Sequence, residues 1–343
     1  MTNVLSHTAG TPTIPSDSGR PRRVVVTGAA GFIGGHLITR LIADGASVVG
    51  LDRRDPACDV AAAQSLGEAL GQPAFTFRRV DLTSPGWEPL LSGAEVVFHL
   101  AALPGVRPSW GPGFDDYAMC NVVATQRVMD VAIQARVPRV VVASSSSVYG
   151  STGGGPTSET VPTRPLSPYG VTKLATEALA LAHAQRHDSA TTVAALRYFT
   201  VYGPRQRSDM LIGRALTAAL GGGPVVLYGS GEQSRDFTYI GDIVEATIAA
   251  SRTQASGAFN IGAGRATSVR EVLRVAEDLT GRPVPVTAAP AGDGDVPATL
   301  ADSTLARDVL GWQPQVELTT GMRRHLDWLR SYPIGHADAT ATA

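Results

Sequence analysis

The sequence predicts an α/β protein: a doubly wound parallel sheet with helices on both faces, and a smaller α/β substrate-binding lobe beside it. Three observations carry this reading. Short β-branched runs alternate with stretches of helical spacing, the runs are apolar along their whole length, and a glycine-rich turn joins the first run to the first helix. Strands buried on both faces need continuous apolar runs, and regular strand–helix alternation is how a parallel sheet is wound.

Taken in order, Arg23 to Thr27 reads as a strand, Phe32 to Asp44 as a helix and Ser47 to Leu51 as a second strand. Together they form a βαβ unit. Further strands are expected at Phe75 to Val80, Glu95 to Leu100, Arg139 to Ala143 and Thr192 to Leu196, with helices near Phe114 to Ala135 and Pro168 to His187. After Tyr202 the alternation loosens, with Gly and Pro punctuation at Gly221 to Pro224, Gly229 to Gly231 and Ala288 to Pro297. The expected organisation is a disordered leader over 1–21 and a dinucleotide-binding domain over 22–200, to which 238–262 returns. The substrate lobe takes 201–237 and 263–330, and 331–343 form a loose tail.

Composition narrows the function. With 29 basic and 30 acidic residues the net charge is -1, which gives no global footprint for nucleic acid or an anionic membrane. No run approaches the roughly 18 apolar residues of a membrane span. Cys58 and Cys120 are the only cysteines, too few for a disulfide framework or a Cys-based zinc site, so a reducing cytoplasm is expected and no metal site.

The segment VVVTGAAGFIGGHLI sets Gly28, Gly31 and Gly34 between a strand and a helix. Glycine permits the tight turn and close approach to a pyrophosphate, whose charge the helix N-terminal N–H groups stabilise. Asp52 follows at the end of the second strand, where a carboxylate accepts both adenosine ribose hydroxyls and favours NAD over a 2′-phosphorylated cofactor. Arg53 and Arg54 stand beside it. A glycine turn without a ligand is the competing reading.

Of the basic residues 28 are arginine, and the single lysine is Lys173, four positions after Tyr169 in SPYGVTK. On a helix these two share a face. A tyrosine used as a base near neutrality must move from about 10 towards about 7, roughly 4 kcal/mol. One cation about 4 Å away, at an effective dielectric of about 20, supplies a comparable amount. Upstream, VVVASSSSVYG ends a strand with Ser144 to Ser147, whose hydroxyls can donate to a sugar oxygen while the tyrosine takes its proton.

Together TGAAGFIG, Asp52, SSSSVYG and YGVTK resemble the extended short-chain dehydrogenase/reductase family, in its NAD-dependent nucleotide-sugar epimerase and dehydratase branch, over roughly residues 22 to 330. The resemblance implies a Rossmann-type fold, with Gly28, Gly31, Phe32, Ile33, Gly34, Asp52, Arg53, Asp81, Leu82, Leu100, Ala101, Ala102, Asn121 and Phe199 around NAD. It makes Tyr169 the base, Ser145 the catalytic Ser/Thr, and Lys173 the residue that holds the nicotinamide ribose and lowers the tyrosine pKa. Sugar 4,6-dehydratases carry Asp and Glu where Ser146 and Ser147 stand, and decarboxylating relatives carry Glu at the Ser147 position. Without those carboxylates the implied chemistry is oxidation at C4 and return to the opposite face.

RYFTVYGPRQRSDM resembles the UDP-glucuronate 4-epimerase version, with Thr200 and Arg207 toward the sugar carboxylate. Arg235 matches the pyrophosphate clamp and Asp295 a ribose or diphosphate contact. The Arg usual three positions earlier is Gly292, which leaves Arg214 or Arg265 to compensate. The expected activity is therefore interconversion of UDP-glucuronate and UDP-galacturonate through a 4-keto sugar by a homodimer. UDP-glucose/UDP-galactose 4-epimerisation is the alternative, and a non-catalytic dinucleotide-binding scaffold is a third reading.

Overall fold

The computed structural model describes residues 22–290 and 296–331. The leader, the tail, Gly292 and Asp295 lie outside the described residues. In chain order the elements are β1 (Arg23–Thr27), α1 (Phe32–Ala43), β2 (Ser47–Asp52), α2 (Val60–Leu66), β3 (Phe75–Arg79) and β4 (Val96–His99). Then come α3 (Phe114–Tyr117), α4 (Ala124–Gln134), β5 (Arg139–Ser145), α5 (Pro168–Ala184), β6 (Thr192–Tyr198) and β7 (Thr200–Tyr202). The remainder comprises α6 (Leu211–Ala219), β8 (Val225–Tyr228), β9 (Ser234–Tyr239), α7 (Ile240–Ser251), β10 (Gly257–Ile261), β11 (Ala266–Ser268), α8 (Val269–Thr280), β12 (Val286–Ala289), α9 (Thr304–Leu310) and α10 (Leu318–Ser331).

The central sheet has seven parallel strands in the order β10-β6-β5-β4-β1-β2-β3. The order reverses between β1 and β4, the switch point at which open α/β sheets bind ligands. Apolar residues of α1 and α7, among them Leu37, Ile38 and Ile243, cover one face. Val128, Met129 and Ala132 of α4 and Ala180 of α5 cover the other. A second core joins α6, α8 and α10 through Leu216, Val272 and Met322, over β8 and β9. Smaller sheets β11-β9-β7 and β12-β8 complete that lobe. Among the described residues no helix is long and apolar enough to cross a membrane.

Local structure departs from the sequence expectation in two informative places. The helix expected from Phe114 to Ala135 is interrupted by a π-helical stretch, Ala118–Val123, between α3 and α4. Such a bulge inserts a residue into the helical ladder and is often found at functional sites. Strand β5 runs two residues beyond the expected end, so Ser144 and Ser145 are strand residues and Ser146–Val148 form a single 3₁₀ turn.

Beneath β5 lies a buried ion pair. Arg197 on β6 donates to Glu177 on α5 through Nη2–Oε1 at 2.5 Å and Nε–Oε2 at 3.0 Å, and Ser144 Oγ donates to the same carboxylate at 2.8 Å. The guanidinium also reaches the Tyr149 hydroxyl at 2.7 Å, which donates to Asn260 on β10. Removing one partner of such a pair leaves an uncompensated buried charge, at a cost of about 3–5 kcal/mol. Glu177→Leu is therefore expected to lower the denaturant midpoint sharply, and Glu177→Leu/Arg197→Met to recover much of the loss. Equal midpoints for the single and double variants would show the pair to be energetically inert.

Candidate active site

The switch point opens into a cavity of about 690 Å³ that runs from the turn after β1 to the serines at the end of β5. Gly28 has φ 68°, and a Cβ there would stand 2.7 Å from the Ala101 nitrogen, so the turn can lie on the end of β4 only with glycine. Gly34 is required by packing as well, because a Cβ would run into the Gly28 carbonyl. Gly31 caps α1 with no side-chain hydrogen bond, which leaves the first-turn N–H groups for an anion. Asp52, the last residue of β2, is held by the Ala30 and Arg54 amides at 2.9 and 3.0 Å and borders the cavity. A bare helix N-terminus, an acid at the second strand end and a continuous cavity between them fit a dinucleotide.

At the other end, Ser167 caps α5 by accepting from the Gly170 amide at 3.0 Å, and Pro168 opens the helix with its φ already set. A Cβ at Gly170 would stand 2.7 Å from the Ser147 carbonyl, so this glycine lets α5 rest against the serine turn. The contact sets Tyr169 beside Ser145. Ser145 Oγ in turn donates to Ser147 Oγ at 3.1 Å and accepts from the Ser147 amide at 3.1 Å. Ser144 points away, into the Glu177 pair.

Lys173 is buried and donates from Nζ to the Ala143 carbonyl at 2.8 Å. Burial pushes its amine down to about 8. The electrostatics of Tyr169 differ from the sequence expectation. Burial holds the phenol above its ordinary value, a hydrogen bond with Ser145 opposes that, and the cation that lowers it is Arg207. The ammonium assigned that task from sequence is instead engaged with the strand.

Every residue expected around the dinucleotide lines the cavity except Asn121. That asparagine is buried in the π-helical stretch, with its amide taken up behind the wall. Oδ1 accepts from the Leu103 amide at 2.7 Å, and Nδ2 donates to the Leu103 carbonyl at 3.1 Å and to Thr172 at 3.0 Å. It ties the loop after β4 to α5 and contributes no wall surface. Behind it, His99 bridges Thr27 and Thr125 at 2.8 and 3.0 Å. Burial and the charge of Lys173 push that imidazole down to about 3, so it is a neutral structural bridge.

Thr200, Arg207 and Arg235 border the same cavity, and Thr200 and Arg235 also border a second one of about 230 Å³ with Arg214. Arg207 forms a fork with Asp209, Nε–Oδ1 at 2.8 Å and Nη2–Oδ2 at 2.7 Å. Of the two arginines proposed to replace the one missing at Gly292, Arg214 borders the second cavity, whereas Arg265 pairs with Glu271 and Glu317 away from both. The sequence reading missed the loop between β4 and α3. There Ser109 Oγ accepts from the Tyr169 amide at 3.1 Å and the Arg107 guanidinium lies 3.7 Å from the Tyr228 ring centre, and just beyond it, at the end of α3, the Tyr117 ring meets Tyr169 edge-on at 6.3 Å. Nothing local in its Gly- and Pro-rich sequence reveals what it touches.

Comparison with known proteins agrees with this geometry. Residues 24–262 match the family described as NAD dependent epimerase/dehydratase. The chain is 38% identical over 319 residues to a UDP-glucose 4-epimerase of Mycolicibacterium smegmatis, covering 90% of this chain and 99% of that protein. To a UDP-glucuronate 4-epimerase of Thermodesulfobacterium geofontis it is 32% identical over 311 residues, covering 89% and 95%. Among solved structures, MoeE5 in complex with UDP-glucuronic acid and NAD superposes with a TM-score of 0.84 at 48% identity, over 90% of this chain and 99% of that one. MoeE5 has also been solved with UDP-glucose and NAD, at a TM-score of 0.83. With its glycine turn, its serine and tyrosine at one cavity and this extent of similarity, the chain belongs to the NAD-dependent epimerase/dehydratase family, among its nucleotide-sugar 4-epimerases.

Proposed function

We propose that the protein is a UDP-hexuronate 4-epimerase, interconverting UDP-glucuronate and UDP-galacturonate through a transient 4-keto sugar. The observation that carries this reading is that Thr200 and Arg207 border the same cavity as Tyr169 and Ser145, while Ser146 and Ser147 offer no carboxylate for elimination. A hydroxyl and a guanidinium suit a sugar carboxylate.

NAD, when bound, supplies a reversible two-electron acceptor for oxidation at the sugar C4. The Gly28–Gly34 turn and the start of α1 would hold its pyrophosphate, Asp52 its adenosine ribose, and Arg53, Asp81 and Leu82 its adenine end. Leu100 to Ala102 and Phe199 would border the rest, and Lys173 its second ribose. Tyr169 removes the proton of the C4 hydroxyl and later returns it, with Ser145 donating to the same oxygen. Arg235, with Arg214 nearby, grips the UDP so that the sugar can turn over between the two half-reactions. The 4-keto hexuronate is a β-keto acid and loses carbon dioxide when its carboxylate bond aligns with the carbonyl π system. Arg207, Thr200 and Ser147 hold the carboxylate out of that alignment.

A second reading, 4-epimerisation of a neutral UDP-hexose, is favoured by the Arg207–Asp209 fork, which already supplies the guanidinium with a carboxylate. Incubating purified protein separately with UDP-glucuronate and UDP-glucose, without added cofactor, separates the two. NMR is expected to show the C4 isomer of the hexuronate, and turnover of UDP-glucose alone would select the second reading. Arg207→Ala is expected to raise the yield of 4-keto-pentose from UDP-glucuronate; an unchanged yield removes Arg207 from that role. Tyr169→Phe should cost about 10²–10⁴ in kcat. Because Ser145 lowers the Tyr169 pKa and the phenolate is the active form, Ser145→Ala should move the acidic limb of the rate profile to higher pH. A shift to lower pH would contradict the assignment of Tyr169 as the base.

A further inference from the structure

Arg205 has φ 65°, a left-handed backbone that is strained for a residue with a side chain. It sits two residues before Arg207, in the turn between β7 and α6. Its Nη1 donates to the Ser65 carbonyl at 2.8 Å and its Nη2 meets His36 Nδ1 at 3.0 Å. His36 Nε2 meets the Pro204 carbonyl at 2.9 Å. A guanidinium can only donate and a carbonyl only accept, so the ring is neutral and carries its proton on Nε2. Burial, with the charge of Arg205, pushes the imidazole down to about 4, which keeps it in that form. Ser65 Oγ donates to the Gly31 carbonyl at 2.6 Å, which ties the same group of residues to the phosphate turn.

We propose that Arg205 and His36 form a latch that fixes the turn of residues 203–210 against α1, making both of them positioning residues for the sugar contacts at Thr200 and Arg207. Neither lines the cavity. The turn is closed on itself by Gln206, whose amide donates to the Gly203 carbonyl at 3.2 Å and whose Oε1 accepts from the Gly203 amide at 3.1 Å. These two bonds brace the start of the turn, and the latch anchors it to the element that opens the dinucleotide site. The inference goes beyond the choice of sugar, because the latch serves whichever UDP-sugar the cavity takes.

The test is calorimetric binding of UDP-glucuronate, UDP-glucose and UDP to NAD-loaded wild type, His36→Leu, Arg205→Gly, the double variant and His36→Gln, with NAD content and thermal midpoint measured alongside. Each disruptive single variant is expected to weaken the preferred UDP-sugar about fivefold to tenfold, a common size for coupling between sites. The double variant should be within about twofold of the singles, since both act through one contact. His36→Gln, which can donate to Pro204 and accept from Arg205, should bind within about twofold of wild type, and UDP alone should bind all variants alike. Unchanged UDP-sugar constants, multiplied losses in the double variant, or equal weakening of UDP would overturn the latch. If Arg205→Gly, which relieves the strained backbone, is insoluble, His36→Leu decides alone. A wild-type preference for UDP-glucose overturns the hexuronate reading and leaves the latch to be judged on the UDP-glucose constants, while a wild type that binds neither sugar loses both.

Discussion

The docking of α5 onto β5 is the constraint on which the site depends. Lys173 bonds the Ala143 carbonyl, Glu177 takes both the Ser144 hydroxyl and the Arg197 fork, and Gly170 lets the helix rest on the Ser147 carbonyl. These contacts lie on one face of α5 at helical spacing, so they fix its rotation as well as its distance. With that face fixed, Tyr169 has one place to be. The serine turn is set by the same contacts, because Ser144 is drawn inward and the alternation of the strand then turns Ser145 outward.

Much of this was legible in the residues. The all-apolar runs and the glycine turn foretold the parallel sheet, because period and turn chemistry are local properties of a chain. The positions of Asp52, Ser145, Tyr169 and Lys173 followed from the same logic, each being tied to the end of a strand or the face of a helix. What could not be read were long-range pairings. Asn121 was expected near the dinucleotide, supporting the site from its helix, but that its amide would bind Leu103 and Thr172, 18 and 51 residues away, could not be read. The π-helical stretch that carries it has no compositional signature. Strand β5 runs past its expected end, where Ser144 and Ser145 pair with β6 and Ser144 meets a buried carboxylate that the serine run does not announce.

The largest difference concerns charge. A tyrosine and a lysine one helical turn apart suggested a direct electrostatic partnership; Lys173 donates to a strand carbonyl, and the cation that lowers the Tyr169 pKa is Arg207. On the proposed reading, the guanidinium that meets the sugar carboxylate is also one that lowers the pKa of the tyrosine taking the proton. Asp209 moderates that charge from the solvent side. On that reading selectivity and proton transfer share one local field, set by Arg207 and Asp209 together.

The scarcity of lysine has a practical side. Amine-directed acylating reagents have a single side chain to find in this protein, and it lies buried at the floor of the cavity with its amine pushed down to about 8. A larger neutral fraction favours reaction, while burial delays access. Labelling at that one side chain therefore reads access to the bottom of the cavity, a signal that a lysine-rich chain would obscure.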